Sequence, residues 1–131
     1  MNEAFRILLE NKSSQLIAIH QGKYYKRKDG LALGPGCFIK GLEYAASKEA
    51  KVIGKPNKYF FESAVPTGIS PEECVMIGDD ANDDITGAMK NNIRGIQVKT
   101  GKYLPDVKAE LPPTALVENF AEAVQWIKDN L

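Results

Sequence analysis

Residues 75–90 read VMIGDDANDDITGAMK. An apolar run ends in Gly78, and four carboxylates follow: Asp79, Asp80, Asp83 and Asp84. Like charges this close repel, and the apolar run sets them at the end of a buried element, where unpaired charge is expensive. Helix capping, favoured by the free N–H groups and dipole of a helix N-terminus, accounts for Asp83 and for about half of Asp84's placement. It does not account for Asp79 and Asp80. A bound cation does, and magnesium suits the position because it takes one or two carboxylates, keeps waters and shares phosphate oxygens. A calcium loop beginning at Asp80 fails on spacing. Its sixth position is Ile85 where glycine is needed, and its twelfth is Asn91 where glutamate is needed.

Outward from this stretch the chain alternates strand and helix patterns. Residues 2–9 read as a helix, LIAIH (16–20) as a strand, and GKYYKRKDG as a polar loop or hairpin. Phe38, Ile39, Leu42, Ala45 and Ala46 mark one face of a helix, KVIG (51–54) is a short strand, and residues 58–65 form another helix. Ser70-Pro71-Glu72-Glu73 has the form of a capping box with proline at the first helical position. CVMIG and GIQVK are strands flanking a helix over 83–90, and a terminal amphipathic helix carries Val117, Phe120, Ala121, Val124, Ile127 and Leu131 on one stripe. Strands alternating with helices predict an α/β fold, a parallel sheet covered on both faces. The continuous apolar runs CVMI and GIQV suit strands buried on both sides.

Composition sets bounds on function. The 131 residues favour one domain or one domain plus a fragment of another, and 44% apolar content supplies a core. Lys+Arg and Asp+Glu both number 17, so the basic excess of a nucleic-acid or membrane-surface protein is missing. No apolar run nears the roughly 18 residues of a transmembrane helix, and the N-terminus lacks the features of a signal peptide. Cys37 and Cys74 stand far apart without CxxC spacing, which fits two thiols in a reducing cytoplasmic setting.

A second stretch, VIGKP (52–56), puts Lys55 at the carboxyl end of another parallel strand, on the same sheet edge as Asp79. A lysine there neutralises clustered carboxylates and binds a phosphoryl oxygen as a point charge. Strand–Gly-Lys-Pro followed some 20 residues later by strand–Gly-Asp-Asp is a more specific signal than either motif alone. With AIHQGKYYKRKDGLALGPG and VKTGKY (98–103), the pair resembles the third and fourth motifs of the haloacid dehalogenase (HAD) superfamily of phosphatases, over essentially the whole chain but only the C-terminal half of such proteins.

The resemblance implies a Rossmann-like core with magnesium as cofactor and a small phosphorylated substrate or phosphoprotein as partner. Lys55 matches the catalytic, phosphate-binding lysine that steadies a phosphoaspartyl intermediate. Asp79 matches the direct magnesium ligand, and Asp84 the acid that holds a metal-bound water. Asp80 matches a variable position near the metal, and Asp83 is off the pattern. Residues 1–47 then correspond to the C-terminal part of a cap, and 48–131 to the C-terminal half of the core.

These enzymes attack phosphate with an aspartate in a first-strand DxDG(T/V) motif, and this chain has no apolar strand followed by DxDG. Covalent phosphoryl transfer needs that carboxylate. The expectation is a truncated Mg2+-dependent phosphatase domain. The alternative is a catalytically inactive fragment acting as an interaction or regulatory module. Without the first strand, sheet edges are open to self-association or pairing with another chain.

Other features carry less. His20 is the only histidine and reads as structural on its apolar strand. Lys23, Lys26, Arg27 and Lys28 around Tyr24 and Tyr25 read as a solvated hairpin rather than a nucleic-acid patch. GPG (34–36) is a turn without the P-loop signature. Thr100-Gly101-Lys102 is either a plain turn or part of a phosphate entrance.

Overall fold

A computed structural model describes all residues, 1–131. The chain divides into two compact units, Met1–Gly54 and Lys55–Leu131.

The first unit contains helix α1 (Asn2–Glu10), strands β1 (Leu16–Ala18), β2 (Tyr24–Arg27) and β3 (Gly30–Leu33), helix α2 (Pro35–Ala46) and strand β4 (Ala50–Val52). β1 and β4 pair in parallel, with Leu16 opposite Ala50 and Ala18 opposite Val52. The basic stretch is an antiparallel β2–β3 hairpin with Tyr24 opposite Leu33 and Arg27 opposite Gly30. Gly30 closes its turn at φ +134°, a conformation open to glycine and strained for other residues. Helix α2 starts on Pro35, with the proline at a position whose N–H has no helical partner. Of its expected apolar face, Ala46 is buried, while Phe38 is 51% exposed. His20 lies beyond β1, where its Nδ1 accepts a hydrogen bond from the Gly22 N–H at 3.2 Å.

The second unit contains helix α3 (Lys58–Ala64), strand β5 (Val75–Gly78), the short helix α4 (Gly87–Met89), strands β6 (Arg94–Val98) and β7 (Ala115–Val117), and helix α5 (Phe120–Asn130). The strands form one parallel sheet in the order β5-β6-β7, Ile77 opposite Ile96 and Val98 opposite Val117. A parallel sheet with a helical crossover from β5 to β6 and a terminal helix is the α/β architecture that the alternation predicts. One core cluster joins Ile96, Val98 and Ala123 of α5, with Trp126 and Ile127 packed against it. The other joins Phe61, Ala88 and Ile93. Gly87 lets Phe61 lie close, since a Cβ there would come within 2.8 Å of the ring.

Three expectations change. β6 is buried from Gly95 to Val98, but β5 is half-buried, because it is an edge strand and pairs on one side only. Val117 belongs to β7 instead of the terminal helix, and the face that α5 packs inward carries Ala123, Trp126 and Ile127, leaving Phe120 63% exposed. The helix expected over 83–90 opens earlier, as a wide π-turn over Ala81–Thr86 that runs into α4. The capping box does form: the Ser70 N–H donates to Glu73 Oε2 at 3.0 Å and starts a single 3-10 turn over Pro71–Glu73.

Candidate functional site

The strands of the second unit are parallel, so the residues following β5 and β6 emerge on one sheet edge. That edge is where open α/β sheets bind ligands. Asp79 and Asp80 follow β5, and Lys102 follows β6. Lys55 opens the unit, and it joins the same cluster through Asp84.

Asp84 is the most buried of the four carboxylates, with its side chain 6% exposed. Lys55 Nζ reaches Asp84 Oδ1 at 2.6 Å, and the backbone N–H of Asp80 donates to Asp84 Oδ2 at 3.1 Å. Both oxygens are therefore satisfied by the protein, as a buried charge requires. The Lys55 ammonium also lies 5.8 Å from the centre of the Phe60 ring, within cation–π range. Gly78 has to be glycine here, because a Cβ would collide with the Asp84 side chain.

Asp80 caps the π-turn. Its Oδ1 accepts from the N–H groups of Asn82 and Asp83 at 2.8 and 2.7 Å, and its Oδ2 pairs with Lys102 Nζ at 2.7 Å. Burial pushes the Asp80 carboxyl up, but Lys102 and the two N–H groups outweigh burial and hold it below the ordinary range. Lys102 responds in kind: burial pulls its ammonium down, and the Asp80 partner more than reverses this. Asp83 has no such partner, and burial followed by the charge of Asp80 pushes its carboxyl up. The capping role that the sequence assigns to Asp83 thus belongs to Asp80, since a wider first turn needs its cap further upstream.

Asp79 is held differently. The backbone N–H of Lys102 donates to its Oδ2 at 2.9 Å, and the buried Gln97 side chain approaches its carbonyl oxygen at 3.5 Å. Its Oδ1 has no hydrogen-bond partner in the chain. Thr86 adds a polar tie beneath the turn, donating to the Ala81 carbonyl and accepting from the Glu110 N–H, both at 3.0 Å.

The like charges at this edge are thus balanced by two lysines and by backbone N–H groups. No three acidic, histidine or cysteine side chains converge as a ready-made metal cage. The donors present still suit a hard cation of magnesium type, which needs only one or two carboxylates. Asp79, directly at the end of β5 and with a free oxygen, fits that role best. Asp84 and Asp80 are occupied by the chain's own donors, and Asp83, though without a partner, lies inside the turn past the strand end. Lys102 is the participant that sequence reasoning undervalued. Its signal was the Gly101-Lys102 pair just beyond a parallel strand, readable only once β6 is known to lie beside β5.

Residues 52–123, spanning Lys55, the acidic turn and Lys102, match the model of the HAD-hydrolase-like family. The chain belongs to this family. Over its full length this HAD-family chain is 52% identical to human haloacid dehalogenase-like hydrolase domain-containing protein 2, of which it spans 51%. It is 42% identical to human phospholysine phosphohistidine inorganic pyrophosphate phosphatase, over 97% of this chain and 48% of that protein. The chain spans about half the length of these curated relatives. Among solved structures, a 4-nitrophenylphosphatase from Thermotoga maritima superposes with a TM-score of 0.78 at 25% identity, over 95% of this chain and 50% of that one. A glycerol phosphate phosphatase from Mycobacterium tuberculosis, solved in complex with magnesium, shares the fold at a TM-score of 0.69 and 23% identity, over 90% of this chain and 36% of that one.

Proposed function

We propose that this chain supplies the magnesium- and phosphate-handling half of a HAD-type phosphohydrolase centre. The observation that carries the reading is the 2.6 Å ion pair between Lys55 and buried Asp84, at the end of the sheet that presents Asp79. Lys55 is held by a carboxylate and a ring with a third of its side chain exposed, which supports the reading that its ammonium receives a phosphoryl oxygen. Asp79 would hold a divalent cation through its free oxygen, with Asp84 one step behind it. A magnesium ion so held supplies charge stabilisation to a phosphoryl group. Asp80 and Lys102 neutralise each other and fix the turn. The substrate class is a small phosphomonoester or a phosphorylated protein, and the assignment of 1–47 to a cap and 48–131 to a core half belongs to the same proposal.

A nucleophile is the part this chain does not offer. Asp80 and Asp84 have both oxygens engaged, a cation-facing Asp79 is a poor attacking group, and burial and the charge of Asp80 disfavour the anionic form of Asp83 that attack would need. The second reading, an interaction or regulatory module, is favoured by the outer edge of β5, which pairs with no strand. Hydrolysis of p-nitrophenyl phosphate by the purified chain with magnesium tests the proposal. Turnover should match that of Asp79→Asn and rise when a separate polypeptide bearing DxDG(T/V) is added. Magnesium-dependent turnover by the chain alone, well above that control, overturns the half-centre reading.

A further inference from the structure

We infer that the loop Thr100–Lys102 is the positioning element for Asp79, gripping one carboxylate oxygen and turning the other toward the ion. The inference rests on the reading of Asp79 as a cation ligand. Two contacts hold the Asp79 carboxylate, and a third ties the loop to its neighbour Asp80. The Lys102 N–H donates to Asp79 Oδ2 at 2.9 Å. Gly101, at φ +55°, lies so close that a Cβ would collide with the same oxygen. The Lys102 ammonium anchors the loop on Asp80 Oδ2 at 2.7 Å, with both side chains about four-fifths buried.

One residue therefore holds neighbouring carboxylates by two different groups, its backbone N–H and its side chain. A hydrogen bond to one oxygen stops the carboxylate from rotating, and magnesium demands near-ideal ligand geometry. Glycine at 101 meets two requirements at once, a left-handed backbone and an α-carbon without a side chain against the carboxylate.

Electrostatics alone makes the opposite prediction for Lys102. Removing a cation beside a cation site should tighten metal binding, whereas removing a positioning anchor should weaken it. The sign of the change separates the two accounts.

The test measures Mn2+ affinity by electron paramagnetic resonance on the full chain, for wild type, Asp79→Asn, Gly101→Ala, Lys102→Ala, Lys102→Arg and Gly68→Ala. Gly101→Ala and Lys102→Ala should each weaken Mn2+ binding roughly 10- to 100-fold, the usual cost of losing a group that orients a ligand. Lys102→Arg, which keeps the ion pair, should recover most of the loss. Gly68→Ala is the folding control: its φ is +87°, but nothing lies within 4 Å of a Cβ there, so it adds backbone strain without the collision. It should lower the melting temperature and leave Mn2+ affinity unchanged.

A metal-free readout runs beside this. The Lys102 amide proton should resonate downfield in the NMR spectrum and move upfield in Asp79→Asn. Wild-type affinity in Gly101→Ala and Lys102→Ala, with binding lost in Asp79→Asn, overturns the positioning role and leaves the cation reading intact. Tighter binding in Lys102→Ala overturns the role in favour of plain electrostatics. Wild-type binding no stronger than that of Asp79→Asn overturns the cation reading and the inference together.

Discussion

Met1–Gly54 and Lys55–Leu131 are built from the same alternation of strand and helix, yet they bury their residues very differently. In the first unit, Leu8, Ala18 and Ala46 are the only buried apolar side chains, and Ile17, Ile19, Leu33 and Tyr44 are more than half exposed. In the second, Phe61, Ile85, Ala88, Ile96 and Ala123 are at most 2% exposed. The contrast shows what a charged site requires. Four carboxylates can be held in fixed geometry only on a platform that does not move, because each ion pair works at close to contact distance. The hairpin unit satisfies its backbone bonds locally but provides no such platform.

The largest effect that could break this contrast is at Phe61, which joins α3 to α4 and lies against Gly87. Phe61→Ala should cost about 3–5 kcal/mol in urea unfolding, the usual range for a buried phenylalanine. A cost under about 1 kcal/mol would mean that the second unit has no rigid core.

Lys55 comes next. Lys55→Ala leaves the buried Asp84 without its cation, and with the lysine one-third exposed the loss should be about 1–3 kcal/mol. Lys58→Ala removes an exposed pair with Glu62, at 2.9 Å on the surface of α3, and should leave the urea midpoint close to that of wild type. Equal losses would show that burial does not distinguish the two lysines.

The carboxylates of the turn sharpen the comparison through pH. The Asp80 carboxyl is depressed on folding, so its stabilising contribution is present above the unfolded value near 3.8 and fades as pH falls through the depressed value. The Asp83 carboxyl is raised, so its contribution is present below the unfolded value and is lost as pH rises through the raised one. Asp83→Asn should therefore stabilise the chain at pH 7 and give no gain in strong acid, while Asp80→Asn should destabilise it at pH 7. Thermal melts at both pH values check the signs. Destabilisation at pH 7 by Asp83→Asn would return the capping role to Asp83. The smallest effect belongs to the first unit: Tyr44→Ala, at a side chain 90% exposed, should stay within about 0.5 kcal/mol of wild type.

Much of this was legible in the residues. GIQV read as a buried strand because Ile96 and Val98 flank its one polar residue, Gln97, and Ser70-Pro71-Glu72-Glu73 announced its turn by local chemistry. Lys55 and Asp84 meet across 29 positions, but not by the route the sequence suggests, because the strand that precedes Lys55, β4, pairs with β1 and not with the β5-β6-β7 sheet. β7 was missed because three residues, Ala115–Val117, are too short to show a period and merge with the apolar stripe of the next helix. The choice of Asp80 over Asp83 as cap depended on the π-turn, a backbone width that the side-chain pattern does not encode. Lys102 was hidden for a related reason. Its partners lie more than 20 positions away, and only the register of β5 against β6 brings them together.

The central claim is that the protein neutralises Asp80 and Asp84 with its own donors, and that of the two remaining carboxylates Asp79, at the end of β5, is the one that holds a cation, not Asp83 within the turn. Magnesium titration by calorimetry of wild type, Asp79→Asn and Asp83→Asn tests it most directly. Asp79→Asn should abolish measurable binding, and Asp83→Asn should bind within a few-fold of wild type, since one neutralised side chain at the ligand outweighs one beside it. Equal loss in the two variants would contradict the account, because the site would then respond to total negative charge and not to the one free oxygen of Asp79.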